Sequence, residues 1–350
     1  MGENTVLVAG ASGIVGYNAM TYFEKLPNWK AIGLSRRIPK NRTLSSSNYI
    51  PADLYKPESF QPFSDQLQEV THVVFAAYQH RSNVSELVAP NLQLLENLVI
   101  VLERFCPRVE RIILLQGLKA YGSHLGPFKT PAKETDPRHM PPNFYYNQED
   151  LLKAHQDKVS WVIVRPSWVY GFAIGNPMNI LMSLTVYASI SKHLGLPLRF
   201  PGTKEAYTSL MDATDAQLLA KAIHWALVTP ECANQIFNIN NGDYFRWENI
   251  WGKIGEALDM DIAAPQYIPL STFMRVKEPV WEDMVQKYGL KPYPFSEIAS
   301  WEFMDSAFSH GYDSMLDTIK AREFGFTEFI STEKMFTKQI SMLRQERYIP

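Results

Sequence analysis

Apolar residues alternate along the chain between two patterns. Short, near-continuous runs cover Thr5 to Ala9, Trp29 to Leu34, Asn48 to Pro51, Thr71 to Ala77, Arg111 to Gln116 and Ser160 to Arg165, and have the composition of buried strands. Between them, apolar residues recur at helical spacing. Asn18 to Lys25 continues a first helix, and Leu87 to Phe105 aligns Leu92, Leu95, Leu98 and Val99 in one stripe. The stripe is read as core or dimer interface, and Asn91 and Asn97 in the same helix as polar surface. Strands alternating with helices predict an α/β fold around a doubly wound parallel sheet. Further on, the pattern predicts helices over Asn179 to His193 and Asp215 to Val228, a strand over Ile236 to Asn240, and a helix over Trp247 to Leu258 capped by the polar residues before it. From Ala263 onward Pro, Trp and Phe dominate without repeat or low-complexity tract, so this part is folded too.

The first run breaks into Gly10-Ala11-Ser12-Gly13-Ile14-Val15-Gly16, with glycines three apart between a strand and a helix. In a Rossmann-type fold such a turn cradles a dinucleotide. Gly10 permits the turn, Gly13 and the amides of Ile14 and Val15 approach the pyrophosphate at the helix N-terminus, Gly16 packs helix on sheet, and the Ser12 hydroxyl bonds phosphate. The bland reading, an ordinary glycine turn, is disfavoured by the flanking order. The second run ends in Ser35-Arg36-Arg37, where an NAD site would carry an acid. Two arginines there suit the 2′-phosphate of NADP, so NADPH/NADP+ is the expected cofactor, against a solvated basic turn. Asp53-Leu54 is placed against the adenine amine or else is a helix cap, Ala76 and Ala77 admit the cofactor's diphosphate and ribose, and Tyr78 is a pocket wall. The expected division is a dinucleotide-binding core over 1–171. A smaller, mainly helical substrate-binding lid follows over 172–350, interleaved with the last core strands at about 205–240.

Composition narrows the function. The chain has 350 residues, 46% of them hydrophobic, and its 34 basic and 36 acidic residues are interspersed for a net charge of -2, so no nucleic-acid partner is expected. Cys106 and Cys232 are far apart, which argues against a zinc or disulfide framework. The eight histidines lack HxxxH and HExxH spacing, so no metal is expected, and no GxSxG elbow marks a serine hydrolase. With no long apolar run and with Met1 to Asn4 too polar for a signal sequence, a soluble cytoplasmic protein without membrane partner is expected.

After the fifth run, Gly117-Leu118-Lys119-Ala120-Tyr121-Gly122 would emerge at the carboxyl edge of the sheet, where sites of open α/β sheets lie. Pro142 to Leu152 then opens a helix. Short-chain dehydrogenases place a tyrosine and, four residues on, a lysine on one helix face, where the cation lowers the tyrosine's pKa. Here Tyr145 is followed at that distance by Glu149 and Tyr146 by Asp150, and no tyrosine in the chain has a lysine four residues on. Either the site is dead or the lysine comes from elsewhere, and Lys119 is the candidate. Met178 and Met182 are either core or an adaptable apolar wall.

Together GASGIVG, SRR, PADL, LKAYG, NFYYNQED, VRPSWVYGF, FNINNGDYFRW and KEPVWEDMV resemble the progesterone 5β-reductase and iridoid synthase-like family of atypical extended short-chain dehydrogenases/reductases, over nearly the whole chain. That family carries its lysine on the strand-five loop. The resemblance therefore implies Lys119 and Tyr145 as the catalytic pair. It also implies Gln116, Gly117, Pro166, Ser167 and Val169 beside the cofactor, and Tyr78, Phe128, Tyr146, Met178 and Phe303 around the substrate. Phe128 and Phe303 would face each other across the entrance, the alternative being two core phenylalanines. Gln116-Gly117 and Ala77-Tyr78 depart from the family's usual threonine-glycine and threonine-tryptophan, which bears on substrate preference. The implied activity is NADPH-dependent reduction of the C=C bond of an enone, a small-molecule partner, with a homodimer allowed by the resemblance. A carbonyl reductase or nucleotide-sugar epimerase on the same fold, or a non-catalytic NADP sensor, are the alternatives.

Overall fold

Each early apolar run becomes a strand because both of its faces are covered. The computed structural model describes residues 4–36, 48–81 and 83–350. The strands are β1 (Asn4–Ala9), β2 (Trp29–Leu34), β3 (Tyr49–Ile50), β4 (His72–Phe75), β5 (Arg111–Leu115) and β6 (Ser160–Pro166), joined late in the chain by Gln235–Ile239. They form one seven-stranded sheet in the order β3-β2-β1-β4-β5-β6 and then Gln235–Ile239. Every pairing is parallel, with Val8 of β1 level with Gly33 of β2 and Val74 of β4. The order reverses between β1 and β4, which makes this a doubly wound Rossmann sheet whose switch point lies at the carboxyl ends of those two strands.

The period of two along the strands sorts side chains between the faces. Leu7, Ile32, Val73, Phe75, Ile112 and Ile163 share a buried cluster with Leu95, Leu98, Leu102 and Phe105. The four last residues belong to a long helix. The first four α-helices among the described residues are α1 (Ile14–Phe23), the short α2 (Ser64–Leu67), α3 (Val88–Phe105) and α4 (Phe144–Ala154). On the other face α1 packs against the helix Ala216–Val228. By length and composition Ser85–Phe105 could cross a membrane, although the sequence was expected to hold no such long apolar run. Its apolar stripe is instead the inner face of α3, buried against the sheet.

The chain divides into two compact units. One holds the sheet and comprises the described residues up to Trp168 together with Ala216–Ile239 and Leu316–Glu328. The other comprises Val169–Asp215, Asn240–Met315 and Phe329–Pro350. Its centre is aromatic, with Phe200 set 4.7 Å from Phe308 and 5.2 Å from Trp251, ring centre to ring centre. In the helix Ile180–His193 the preceding Asn179 is the cap, its Oδ1 accepting from the Met182 amide at 3.1 Å. The helix Trp247–Leu258 has no such cap, contrary to expectation. Arg246 occupies the capping position but makes no capping bond, and its guanidinium donates to the Thr208 carbonyl instead.

Asn91 also departs from the sequence reading. It is fully buried, donates from Nδ2 to the carbonyls of Gln79 (2.9 Å) and Leu87 (2.8 Å), and accepts the Gln79 amide at 2.8 Å. Half-buried Asn97 donates to the Leu54 carbonyl at 2.7 Å. The loop leaving β4 has backbone groups that need partners inside the protein, and Asn91 supplies them. Asn91→Ala should therefore strand both polar groups of Gln79 and lower unfolding free energy by about 2 kcal/mol, whereas Asn97→Ala should lose about half that. Urea unfolding checks the ranking, and equal losses would contradict it.

Candidate active site

At the switch point the backbones come too close for side chains. Gly10 has φ +84°, and a Cβ there would lie 2.6 Å from the Ala76 carbonyl oxygen. A Cβ on Gly16 would lie 2.2 Å from the Gly10 carbonyl, so α1 sits directly on the turn. Gly13 caps α1 without any side-chain bond, which leaves first-turn amides available to an anion. Ser12 is exposed beside them, Val15 is half-buried, and the Ile14 side chain turns into the core. These residues fit a dinucleotide diphosphate.

Along the carboxyl edge, Ser35 is half-buried and Arg36 exposed, while Arg37 lies outside the described residues. The Asp53 carboxylate accepts the Tyr55 amide at 3.0 Å, a local turn, and the Leu54 side chain is in the core. Ala76 and Ala77 follow β4, half-buried. The Tyr78 ring then stands 5.8 Å from that of Phe144, which is 4.5 Å from Tyr145.

Lys119 lies on a single 3-10 turn, Leu118–Tyr121, directly after β5. Burial lowers its pKa, and its ammonium makes no ion pair among the described residues. Tyr145 opens α4. A Cβ on Gly117 would come within 3.7 Å of the Tyr145 hydroxyl, so the phenol lies over the start of the Lys119 turn. Burial, first of all, raises the Tyr145 pKa; Tyr78 adds to this and Arg165 opposes it. The phenol is thus held protonated, as a neutral hydrogen-bond donor.

Asn143 connects the two segments. Its Oδ1 accepts the Tyr145 amide at 3.1 Å as the cap of α4, and its Nδ2 donates to the Lys119 carbonyl at 2.8 Å. His139 Nε2 also lies 3.1 Å from that carbonyl. Its neighbour His124 is pushed down to about 4 by burial, His139 and Lys119, so it is neutral beside the lysine. Tyr146 is buried, and its hydroxyl donates to the Ala120 carbonyl at 2.9 Å while accepting the His139 amide at 3.1 Å. That hydroxyl is engaged in holding the Lys119 turn. Phe128 and Tyr145 pack against Leu118, Ala120 and Tyr121.

Behind this surface lies a polar network. Gln116, at the end of β5, donates to the Tyr145 carbonyl at 3.0 Å and accepts Arg165 Nε at 3.0 Å. Arg165 pairs with Glu149 at 2.5 Å, both side chains being buried. Pro166 closes β6 with its carbonyl 3.4 Å from the Gly117 Cβ position, and the buried Ser167 donates its amide to Ile239 at 3.3 Å. The first unit thus brings together Gly10, Ser12, Gly13, Gly117, Lys119, Phe128 and Tyr145 with their supports. Val169, Met178 and Phe303 belong to the second unit, where Met178 precedes the helix Ile180–His193 and Phe303 lies in the helix Trp301–Ala307. Sequence reasoning missed Asn143, Glu149 and Arg165. The one available signal was Asn143 standing two residues before Tyr145, an N-cap residue type at a helix start.

The family described as PRISE-like Rossmann-fold domain matches residues 62–348. The chain is similar to 3-oxo-Delta(4,5)-steroid 5-beta-reductase of Arabidopsis thaliana, 33% identical over 99% of this chain and 94% of that protein. It is also similar to (S)-8-oxocitronellyl enol synthase of Antirrhinum majus, at 32% over 99% and 93%. In fold it is similar to UDP-glucuronic acid 4-epimerase from Bacillus cereus, solved with NAD, at TM-score 0.68 and 16% identity over 97% and 99% of the chains. The UDP-glucose 4-epimerase of Thermus thermophilus, in complex with NAD, gives TM-score 0.66 and 17% over the same shares. At those identities the two epimerases show the shared extended architecture alone.

The double duty of Asn143 can be separated by substitution. Serine keeps a capping oxygen but cannot reach the Lys119 carbonyl, whereas alanine loses both contacts, so Asn143→Ala should unfold about 1 kcal/mol more easily than Asn143→Ser. Both should speed hydrogen exchange of the Lys119 to Gly122 amides. Unchanged exchange in Asn143→Ser would show that the tie does not hold the turn.

Proposed function

The chain belongs to the PRISE-like Rossmann-fold family, and on that premise we propose that it is an NADPH-dependent reductase of the C=C bond of α,β-unsaturated carbonyl compounds. The observation that carries this reading is the pairing of a protonated, enclosed Tyr145 with a lysine delivered by the β5 turn, both held by Asn143. The glycine cradle and uncapped α1 fit a dinucleotide diphosphate, and the exposed Arg36 suits a 2′-phosphate. When bound, NADPH supplies a hydride, which goes to the β carbon of the substrate.

The chain's own residues manage the charge that results. As the electron pair of the double bond shifts toward oxygen, the Tyr145 hydroxyl donates a hydrogen bond to the developing enolate. The proton stays on the phenol, because burial favours its neutral form, and the α carbon takes its proton from water. Lys119, a cation without a carboxylate partner among the described residues, serves the nicotinamide ribose and the electrostatics of the phenol. Phe128 keeps the approach to Tyr145 apolar. The region 172–350 is proposed to bind substrate, with Met178 and Phe303 among its contacts, and the protein to act in the cytoplasm.

With 4-deuterated NADPH and cyclohexenone, the label should appear on the β carbon of a saturated ketone. Tyr145→Phe should lose roughly 10²-fold in turnover yet keep measurable activity, the scale of removing one oxyanion donor. An allylic alcohol with deuterium on its carbinol carbon would replace this reading by carbonyl reduction.

Lys119→Met should lower turnover by about tenfold or more, the worth of a lost charge-assisted contact, while leaving thermal unfolding in place. Adding Glu149→Lys should not restore activity, since that position points into the Arg165 network. Wild-type turnover in Lys119→Met would make this an ordinary lysine.

A further inference from the structure

The helix position that would carry the lysine holds Glu149, only 2% exposed. A carboxylate there is costly unless a cation faces it. Three do. Arg165 of β6 approaches Oε1 at 2.5 Å, Arg138 approaches Oε2 at 2.8 Å, and Lys153 stands 3.7 Å away. Arg138 is half-exposed and also holds Asp150, so neutralising Glu149 does not require everything Arg165 does.

With one arm on Glu149, the guanidinium has two other directions. Its Nε donates to Gln116 Oε1 at 3.0 Å, and Gln116 Nε2 passes the link to the Tyr145 carbonyl at 3.0 Å. Its Nη1 donates to the Tyr121 hydroxyl at 3.1 Å, and that hydroxyl donates to Asn238 Oδ1 at 2.5 Å. Tyr121 ends the turn that carries Lys119. One planar fork, with donors at fixed angles, therefore touches α4, the end of β5 and the Lys119 turn at once.

We infer that Arg165 is a positioning residue that holds Tyr145 and the Lys119 turn in register, through Gln116 on one side and Tyr121 on the other, in place of the lysine that α4 lacks. This rests on the reading of Tyr145 and Lys119 as the catalytic pair. The fork touches no reacting atom. It fixes the backbone from which each catalytic side chain projects, and a displacement near 1 Å between such groups costs on the order of 10² in rate.

The test separates holding the fold together from holding the register. In the double variant Glu149→Leu/Arg165→Met an apolar pair of similar volume replaces the ion pair, an exchange that is often neutral for stability. It should melt close to the unmutated protein and bind NADPH, by quenching of cofactor fluorescence, within about threefold, while turnover of cyclohexenone falls roughly tenfold or more. Turnover within about twofold of the unmutated enzyme would overturn the inference. Should the double variant not fold, Arg165→Lys, which keeps the charge without the fork, and Tyr121→Phe take its place. Loss of turnover in both supports the positioning role, and full turnover in both removes it. Hydrogen exchange without substrate keeps the two readings apart. Gln116→Met should loosen the amides of Tyr145 to Gln148, Tyr121→Phe those of Lys119 to Gly122, and the double variant both. Unchanged exchange in all three would overturn the network whatever the substrate. Altered exchange in a protein that never reduces cyclohexenone would leave the network standing and remove the enone reading.

Discussion

No side chain can stand between β1 and β4 at their carboxyl ends, and the site follows from that exclusion. With Gly10 at positive φ and the Ala76 carbonyl 2.6 Å from where a Cβ would be, the two strands end in bare backbone at the sheet's reversal point. The α1 helix sits on the same turn through Gly16, so its amides open onto the same edge. An edge lined by peptide groups in this way suits the diphosphate of a dinucleotide. The segments after β4, β5 and β6 are then free to differ, and they carry Tyr78, Lys119 and Ser167.

What distinguishes this site is how its polarity is held. The surface presented by Tyr145, Gly117, Lys119 and Phe128 is backed by buried polar groups whose bonds are shared between elements. Asn143 ties α4 to the Lys119 turn at its front, Tyr146 ties it at its side through Ala120, and Gln116 reaches the Tyr145 carbonyl from β5. Each of these groups would be expensive to bury alone. Their mutual satisfaction selects one arrangement of two segments that a local sequence pattern leaves independent.

The sequence made the strands legible because strands covered on both faces are apolar throughout. Their ends were less so. Thr71 to Ala77 and Arg111 to Gln116 read as longer than β4 and β5 because the residues just past the ladder are small or buried to serve the site, not to extend the sheet. The missing lysine was visible as a failed spacing at Tyr145, Lys119 was the candidate from its place after the fifth run, and the resemblance implied the same residue. Glu149 and Arg165 were invisible in their roles, since a buried pair between α4 and β6 has no period, and a charged residue in a helix reads as surface. Asn91 was misplaced because an uncharged polar residue in a helix also reads as surface. The resemblance implied Tyr146 beside the substrate, and the sequence held no sign of the bond that its hydroxyl makes to the Ala120 carbonyl.

The division of the chain into two units bears on heredity as much as on shape. The sheet-bearing unit is assembled from three stretches and the other from three more, the chain passing between them at Trp168, Asp215, Ile239, Met315 and Glu328. The strand Gln235–Ile239 that completes the edge beside β6 is therefore encoded after the first of the other unit's three stretches and before the remaining two. No single crossover between two related genes could exchange one unit and leave the other whole. Each unit is interrupted by the other, so neither can be replaced by one continuous exchange of sequence.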